Sequence, residues 1–314
     1  MLGFAATEAA RSSSSMRILI LGGTRYSGRH LTQLSSEREV ELTLLHRGAH
    51  TDGLPPNVRS ILGDRDPREG NGLAQLEGLI EQGERWDALI DMCGFVPRIV
   101  GSSCDLLKDF CTHCVFVSTV SVYQTNPDGA HDEASPVQEL PGPTVGRIEG
   151  GAYGGLKALC EEVVRERFAE RHTIIRPGLI VGPWDQTDRF TYWPRRVARG
   201  GLMLVPKLDA PVQWIDARDL AEFLLLCATE NVMGTLNVVG PRAEMTFREF
   251  LDVVARGVGL DTGRGYVVAE RGDDWLTEHG VTAWRELPMY TGRSDSSMLR
   301  VDSRRAIEAG LKLR

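Results

Sequence analysis

Short apolar runs alternate with segments of helical spacing over the first half of the chain. Continuous apolar runs predict buried strands, and apolar residues three and four positions apart predict amphipathic helices between them. The predicted strands cover residues 18–21, 40–45, 58–62, 86–92, 114–118 and 173–176, and the predicted helices begin at Tyr26 or cover residues 73–80, 99–110 and 152–171. Because crossover connections between parallel strands are right-handed, this order predicts an α/β fold with a doubly wound parallel sheet.

The alternation loosens beyond Pro177, where short pieces are separated by Gly-rich joints. These pieces predict helices at 190–199 and 247–258, strands at 212–215 and 235–239, and a smaller, mostly C-terminal substrate lobe. We expect three parts: a disordered tail over 1–15, a dinucleotide-binding domain over 16–176, and the lobe over 177–314. Within the lobe, about 212–240 is expected to return to the main sheet. Residues 124–151, rich in Pro, Gly and acidic residues, predict a loop over the active site.

A glycine turn joins the first predicted strand to its helix. Gly22 and Gly23 end the strand, and Gly28 allows the helix to pack on it. A helix that begins at such a turn directs free backbone N–H groups and the positive end of its dipole into the turn. The turn therefore predicts a pyrophosphate site.

Tyr153 and Lys157 lie four residues apart on one predicted helix and so share a face. A nearby ammonium stabilises a phenolate, so this spacing predicts a tyrosine with a lowered pKa that exchanges protons near neutral pH. Thr119 follows the fifth predicted strand, where ligands of open parallel sheets bind. Its hydroxyl is a candidate donor to a substrate carbonyl.

Four stretches of the chain carry a family resemblance when they are taken together. They are Gly22-Gly23-Thr24-Arg25-Tyr26-Ser27-Gly28, Thr119-x-x-Val122-Tyr123, Tyr153-x-x-x-Lys157, and Arg176-Pro177-Gly178-Leu179-Ile180-Val181-Gly182-Pro183. The set resembles the extended short-chain dehydrogenase/reductases, and more narrowly the NAD-dependent epimerase/dehydratase family. The resemblance covers Met16 to about Asp219 and implies a Rossmann-type sheet with a substrate lobe.

The resemblance also implies site residues. Tyr153 would be the general acid/base, Lys157 would lower its pKa and bind the nicotinamide ribose, and Thr119 would orient the carbonyl. The implied cofactor-binding residues are Gly22, Thr24, Arg25, Tyr26, Ser27, Gly28, Arg47, Asp64, Arg65, Cys93, Gly94, Lys157, Pro177, Leu179 and Ile180. The implied substrate contacts are Arg189, Tyr192 and Gln213, and Asp219 would cap a helix or pair with Arg218.

Two departures from the family pattern concern the cofactor. Arg25 replaces the middle glycine of the turn, and His46 and Arg47 stand where an acid would bind the ribose hydroxyl. Arginine binds phosphate through paired, charge-assisted hydrogen bonds, so both changes favour the 2′-phosphate of NADP(H), with NAD(H) as the alternative. In the competing interpretation both arginines are solvated loop charges.

Val120 and Ser121 stand where sugar-nucleotide dehydratases of the family have an acidic pair, so elimination is disfavoured. We expect an oxidoreductase that transfers hydride between NADP(H) and a carbonyl or secondary alcohol, on a sugar-like or nucleoside-like substrate. An epimerase of the same family is the alternative. From a different class, a non-catalytic dinucleotide-binding regulator also fits, although Thr119, Tyr153 and Lys157 are all present.

Composition narrows the partners. The 314 residues include 43 acidic and 36 basic side chains, and this net charge of −7 argues against a nucleic-acid partner. The single Cys111-x-x-Cys114 lacks a second ligand pair, so we predict no metal, and the other cysteines fit reduced core thiols. No apolar run is long enough to span a membrane, so we expect a cytoplasmic protein. We also expect it to be a monomer or homodimer.

Overall fold

The computed structural model describes residues 15–38, 40–126, 129–140, 152–260, 265–292 and 296–314. The predicted tail lies outside the described residues except for Ser15, and so does much of the predicted loop over 124–151. The helices are α1 (Tyr26–Ser36), α2 (Gly72–Glu81), α3 (Pro97–Leu107), α4 (Tyr153–Phe168), α5 (Tyr192–Arg199), α6 (Ala217–Glu230), α7 (Phe247–Gly257), α8 (Asp273–Glu278) and α9 (Arg304–Glu308). Short 3-10 turns cover Val120–Val122 and Ser296–Leu299.

Seven strands form one parallel sheet in the order β10-β6-β5-β4-β1-β2-β3. They are β1 (Met16–Leu21), β2 (Val40–His46), β3 (Arg59–Leu62), β4 (Trp86–Asp91), β5 (Cys111–Val117), β6 (His172–Pro177) and β10 (Gly234–Val238). Their side chains form two apolar clusters, one packed by α1, α6 and α9 and the other by α2, α3 and α4. Because both faces are covered, the strands read as continuous apolar runs. The doubly wound α/β fold is confirmed.

A third apolar cluster lies outside the sheet and is built around Trp193, Phe247 and Phe250. Two small parallel pairs accompany it: β8 (Gly201–Val205) with β11 (Tyr266–Glu270), and β7 (Ile180–Val181) with β9 (Ile215–Asp216). Between these pieces the chain re-enters the main sheet, since α6 packs on α1 and β10 pairs with β6. The strand predicted at 212–215 is wrong except at Ile215, because Trp214 instead forms an antiparallel bridge with Gly240.

Candidate active site and dinucleotide cleft

The glycine turn forms the floor of a cleft of about 720 Å³ at the carboxyl end of β1. Gly22 and Gly23 adopt φ angles of +96° and +90°, which side chains disfavour. A Cβ on Gly28 would lie 2.6 Å from Gly23 Cα, so α1 packs directly against the turn. No acidic side chain stands in the first turn of α1, and no side chain caps it. These free N–H groups and this volume fit the diphosphate of a dinucleotide.

Of the residues expected at the turn, Thr24, Arg25 and Ser27 line the cleft with the glycines. Tyr26 does not line it: its hydroxyl is buried without a hydrogen-bond partner in the described part of the chain, and burial raises its pKa. Its contribution to the turn is the backbone, which begins α1 at a φ of +45°. The side chain of Tyr26 therefore belongs to the packing around the turn.

The cleft extends past the carboxyl end of β2, where the two basic residues separate. Buried His46 accepts a hydrogen bond on Nδ1 from the Gly48 N–H at 3.0 Å and contacts Ser60 through Nε2, and burial lowers its pKa. The Arg47 side chain is 78% exposed and lies 3.7 Å from the Asp64 carboxylate. Of His46 and Arg47, Arg47 is thus the one available to a phosphate at this end.

Arg65 lines the cleft, and its guanidinium hydrogen-bonds side chains of β4 and α3. Its Nη1 donates to both Asp91 oxygens, at 2.6 and 2.7 Å, and its Nε donates to Ser103 Oγ at 3.1 Å. Burial opposes its charge, yet Asp91 outweighs burial, so the pKa of Arg65 is raised. The same carboxylate accepts the Cys93 N–H at 3.0 Å. Arg65 thereby orders the segment after β4, while its Nη2 is buried without a hydrogen-bond partner among the described residues.

Lys157 is buried beneath the cleft on α4. Its ammonium donates to two backbone carbonyl oxygens, Gly94 O at 2.5 Å and Val117 O at 2.6 Å, which follow β4 and end β5. Its Nζ also lies 5.3 Å from the centre of the Phe95 ring, and Phe95 lines the cleft. Burial lowers the pKa of Lys157 to about 8.

Tyr153 stands one helical turn before Lys157 and packs on Phe95 with 6.5 Å between ring centres. Thr119, buried at the end of β5, hydrogen-bonds Tyr153 and accepts the Ser121 N–H at 3.1 Å. Burial raises the pKa of Tyr153 and outweighs the Thr119 bond. The expected lowering of this pKa by Lys157 is therefore wrong for the structure as described, because the ammonium is directed to the two carbonyls.

A buried ion pair behind the site was not predicted from the sequence. Arg176 on β6 donates to Glu161 on α4 through Nε at 2.9 Å and Nη2 at 2.6 Å. Ser118, next to Thr119, donates to Glu161 at 2.5 Å, and Arg176 also donates to the Tyr123 hydroxyl at 3.0 Å. A charged residue inside an apolar strand, with an opposite charge on the buried face of a helix, was the available signal.

The end of β6 and the segment after it contain the last of the residues expected to bind the cofactor. Pro177 ends β6, Leu179 O accepts the Ile215 N–H at 2.8 Å, and Ile180 begins β7. Like Gly94 and Cys93 after β4, these residues lie at the carboxyl end of the parallel sheet, with β5 between the two strands. Cys93 lines the cleft, and burial raises the pKa of its thiol.

The residues expected to contact substrate have different surroundings. Arg189 donates to Thr187 Oγ at 2.9 Å and lies 5.7 Å from the Trp284 ring centre, and Tyr192 meets Trp193 edge-on at 4.9 Å. Gln213 donates from Nε2 to Val301 O at 3.1 Å and accepts the Val301 N–H on Oε1 at 2.8 Å, so its amide is held on the backbone of Val301.

Asp219 was expected to cap a helix or pair with Arg218. Asp216 instead caps α6 and pairs with Arg218, at 2.6 Å. Asp219 accepts the Arg314 N–H at 2.8 Å, so its predicted pairing is wrong.

Within the described ranges, no group of three or more His, Cys, Asp or Glu side chains could hold a metal ion. The six cysteines are free thiols, five of them buried and Cys93 half-buried. No helix among the described residues combines the length and apolar character needed to cross a membrane.

The model of the NAD-dependent epimerase/dehydratase family matches residues 102–240. Over these residues the chain is similar to that family. Bovine epimerase family protein SDR39U1 is 26% identical over 261 residues, covering 79% of this chain and 81% of that protein.

Two solved structures of the family's fold superpose on nearly the whole chain. Human epimerase family protein SDR39U1 (isoform 2), solved with NADPH, has a TM-score of 0.58 and 20% identity, covering 95% of both chains. The Bordetella bronchiseptica enzyme WbmH, solved with NAD⁺, has a TM-score of 0.66 and 16% identity, covering 95% of this chain and 93% of its own. These likenesses support the fold.

Proposed function

We propose that the chain is an NADP(H)-dependent oxidoreductase that interconverts a carbonyl and a secondary alcohol. The observation that carries the proposal is the arrangement of Tyr153, Thr119 and Lys157 beside Phe95, at the edge of the dinucleotide cleft. Two hydroxyls linked to each other and a buried ammonium one turn away are the groups that carbonyl reduction needs. The bound nicotinamide would supply or accept the hydride.

The chain's own residues then have separate tasks. Thr119 lies beside the Tyr153 hydroxyl, and its single O–H would turn to the substrate oxygen when substrate binds. Tyr153 donates its proton to that oxygen as negative charge develops there. Phe95 packs over the Tyr153 ring, and Lys157 orders the segments that follow β4 and end β5 through its contacts with Gly94 O and Val117 O.

The preference for NADP(H) rests on Arg47, an exposed cation at the end of β2 whose contact with Asp64 is long and mostly solvated. The human structure was solved with NADPH and points the same way, while the Bordetella enzyme was solved with NAD⁺. The names of these relatives favour a second candidate, an epimerase that uses the same three residues and regenerates its cofactor in each cycle.

Purified protein incubated with NADPH and a panel of ketones tests the proposal through loss of nicotinamide absorbance. We expect turnover with at least one ketone, and Tyr153→Phe should lower kcat by more than about a hundredfold while leaving the Kd for NADPH within twofold. Unchanged turnover in that variant would remove Tyr153 from the mechanism. Inversion of a sugar nucleotide without net loss of NADPH would establish the epimerase instead.

A further inference from the structure

Arg25, which takes the place of the middle glycine, lies just before α1 in an extended conformation with φ −124° and ψ 148°. Its side chain is exposed and lines the dinucleotide cleft. The guanidinium donates to the side-chain oxygen of Gln186, and among the described residues no carboxylate forms an ion pair with it. Its only side-chain partner there is neutral, so the positive charge of Arg25 is not compensated.

The position of this charge is unusual for a helix. The N-terminus of α1 carries partial positive charge, and cations are normally disfavoured there. Neither an acidic residue in the first turn nor a capping side chain offsets it. An arginine at this point adds to the potential of the free N–H groups, so the two together favour an anion in the turn.

Gln186 belongs to a segment that is fixed on the other side of the turn from Arg47. His30 Nε2 donates to Pro183 O at 3.1 Å, and the Trp184 ring lies 4.4 Å from the His30 ring and 4.3 Å from the Arg29 guanidinium. This segment follows β7 and continues from β6, whereas Arg47 follows β2, on the opposite side of β1 in the sheet. Gln186 therefore holds the Arg25 guanidinium away from the end of the cleft where the adenosine ribose would bind.

We propose that Arg25 binds the diphosphate bridge of the dinucleotide, that Gln186 positions it there, and that Arg47 alone reads the 2′-phosphate. This inference rests on the proposed function, and it revises the expectation that both arginines favour NADP(H). Since the diphosphate is common to NAD(H) and NADP(H), Arg25 strengthens binding of both cofactors equally. Discrimination between them then depends on one side chain.

Fluorescence titration of the full chain with NADPH and NADH tests this division. We expect Arg25→Ala to raise both Kd values by a similar factor, roughly tenfold, as for the loss of a charge-assisted hydrogen bond. Arg47→Ala should raise only the Kd for NADPH. Arg38→Ala, which removes an exposed cation beyond the other end of α1, is the matched control and should change neither.

Two fragments separate the two contacts directly. ADP-ribose contains the diphosphate but no 2′-phosphate, and adenosine 2′-monophosphate contains the 2′-phosphate but no diphosphate. Arg25→Ala and, to a smaller extent, Gln186→Ala should weaken binding of ADP-ribose and leave adenosine 2′-monophosphate unchanged. A general loss of structure would weaken both fragments, so this pattern distinguishes positioning from unfolding.

An Arg25→Ala variant that loses affinity for NADPH or adenosine 2′-monophosphate alone would overturn the inference. So would a variant that binds both cofactors as tightly as the wild type. Wild-type protein that binds neither NADPH nor NADH would instead refute the proposed function itself. The wild-type titration and the variant ratios therefore report separately on the two claims.

Discussion

Replacing Glu161 with Gln should destabilise the protein by about 3 kcal/mol, because it leaves the Arg176 guanidinium buried without an anion. The Glu161 side chain is 1% exposed and that of Arg176 is 3% exposed, so solvent cannot replace the lost partner. The two hydrogen bonds from Arg176 account for most of this free energy, at about 1.5–3 kcal/mol each before compensation. Arg165, which is 37% exposed, adds little. Glutamine keeps the shape, so no cavity contributes.

Urea unfolding at pH 7 measures this loss as a difference in the free energy of unfolding. Glu166→Gln on the same helix, where the carboxylate is exposed beside Arg167, is the control and should stay within about 0.5 kcal/mol. Although burial opposes the charged form, Arg176 and Ser118 lower the pKa of Glu161 below its unfolded value of 4.5. The stabilisation is then complete above pH 4.5 and is lost as pH falls through the folded pKa.

The gap in the free energy of unfolding between wild type and Glu161→Gln should therefore be constant above pH 5 and should narrow in more acidic solution. A gap at pH 7 below about 1 kcal/mol would refute the reasoning, because it would mean that the buried guanidinium finds adequate partners in Tyr123 and backbone carbonyls. A gap that widens toward acid would contradict the direction assigned to the pKa of Glu161.

Two further predictions concern the floor of the site. Burial lowers the pKa of Lys157 from 10.5 to about 8, so between these pH values the unfolded chain binds more protons than the folded one. The free energy of unfolding of the wild type should therefore rise with pH across that interval, relative to that of Lys157→Met. Thermal unfolding at pH 7.5 and 10 checks this, and parallel curves for the two proteins would contradict it. Gly28→Ala should lower the free energy of unfolding by about 1–3 kcal/mol and weaken NADPH binding, because the added Cβ would meet Gly23. A Cβ at Gly78 meets open space, so Gly78→Ala should be neutral or slightly stabilising. Equal unfolding midpoints for these two variants would show that the turn can shift.

The main sheet was predictable because its strands are buried on both faces, which leaves unbroken apolar runs such as Ile18 to Leu21. The pieces beyond Pro177 were harder. β8 and β11 form a two-stranded pair with one face exposed. Apolar side chains occupy part of that face, with Leu202 69% and Val267 62% exposed, so the alternation of apolar and polar residues that would mark these strands is weak. A two-residue strand such as β9 exists only through its partner β7 and leaves no local signature.

The candidate site divides in the same way. Local rules located the glycine turn and placed Tyr153 and Lys157 on one helix, because each depends on spacing within one element. What Lys157 contacts depends on the ends of β4 and β5, which are distant in sequence, so the direction of the Tyr153 pKa could not be anticipated. The capture of Gln213 by Val301 and of Asp219 by Arg314 likewise joins positions far apart along the chain.

The two carbonyl contacts of Lys157 limit what else this side chain can bind. An ammonium has three N–H donors, and Gly94 O and Val117 O occupy two of them. One donor remains, enough for a single oxygen of an incoming ribose. Once the amine loses its proton, above a pH of about 8, that donor becomes a lone pair and the site can only accept. The same nitrogen would then accept a hydrogen bond from a ligand hydroxyl, where at lower pH it donates one to a ligand oxygen. This exchange of donor for acceptor would fall within the pH range in which enzymes ordinarily work.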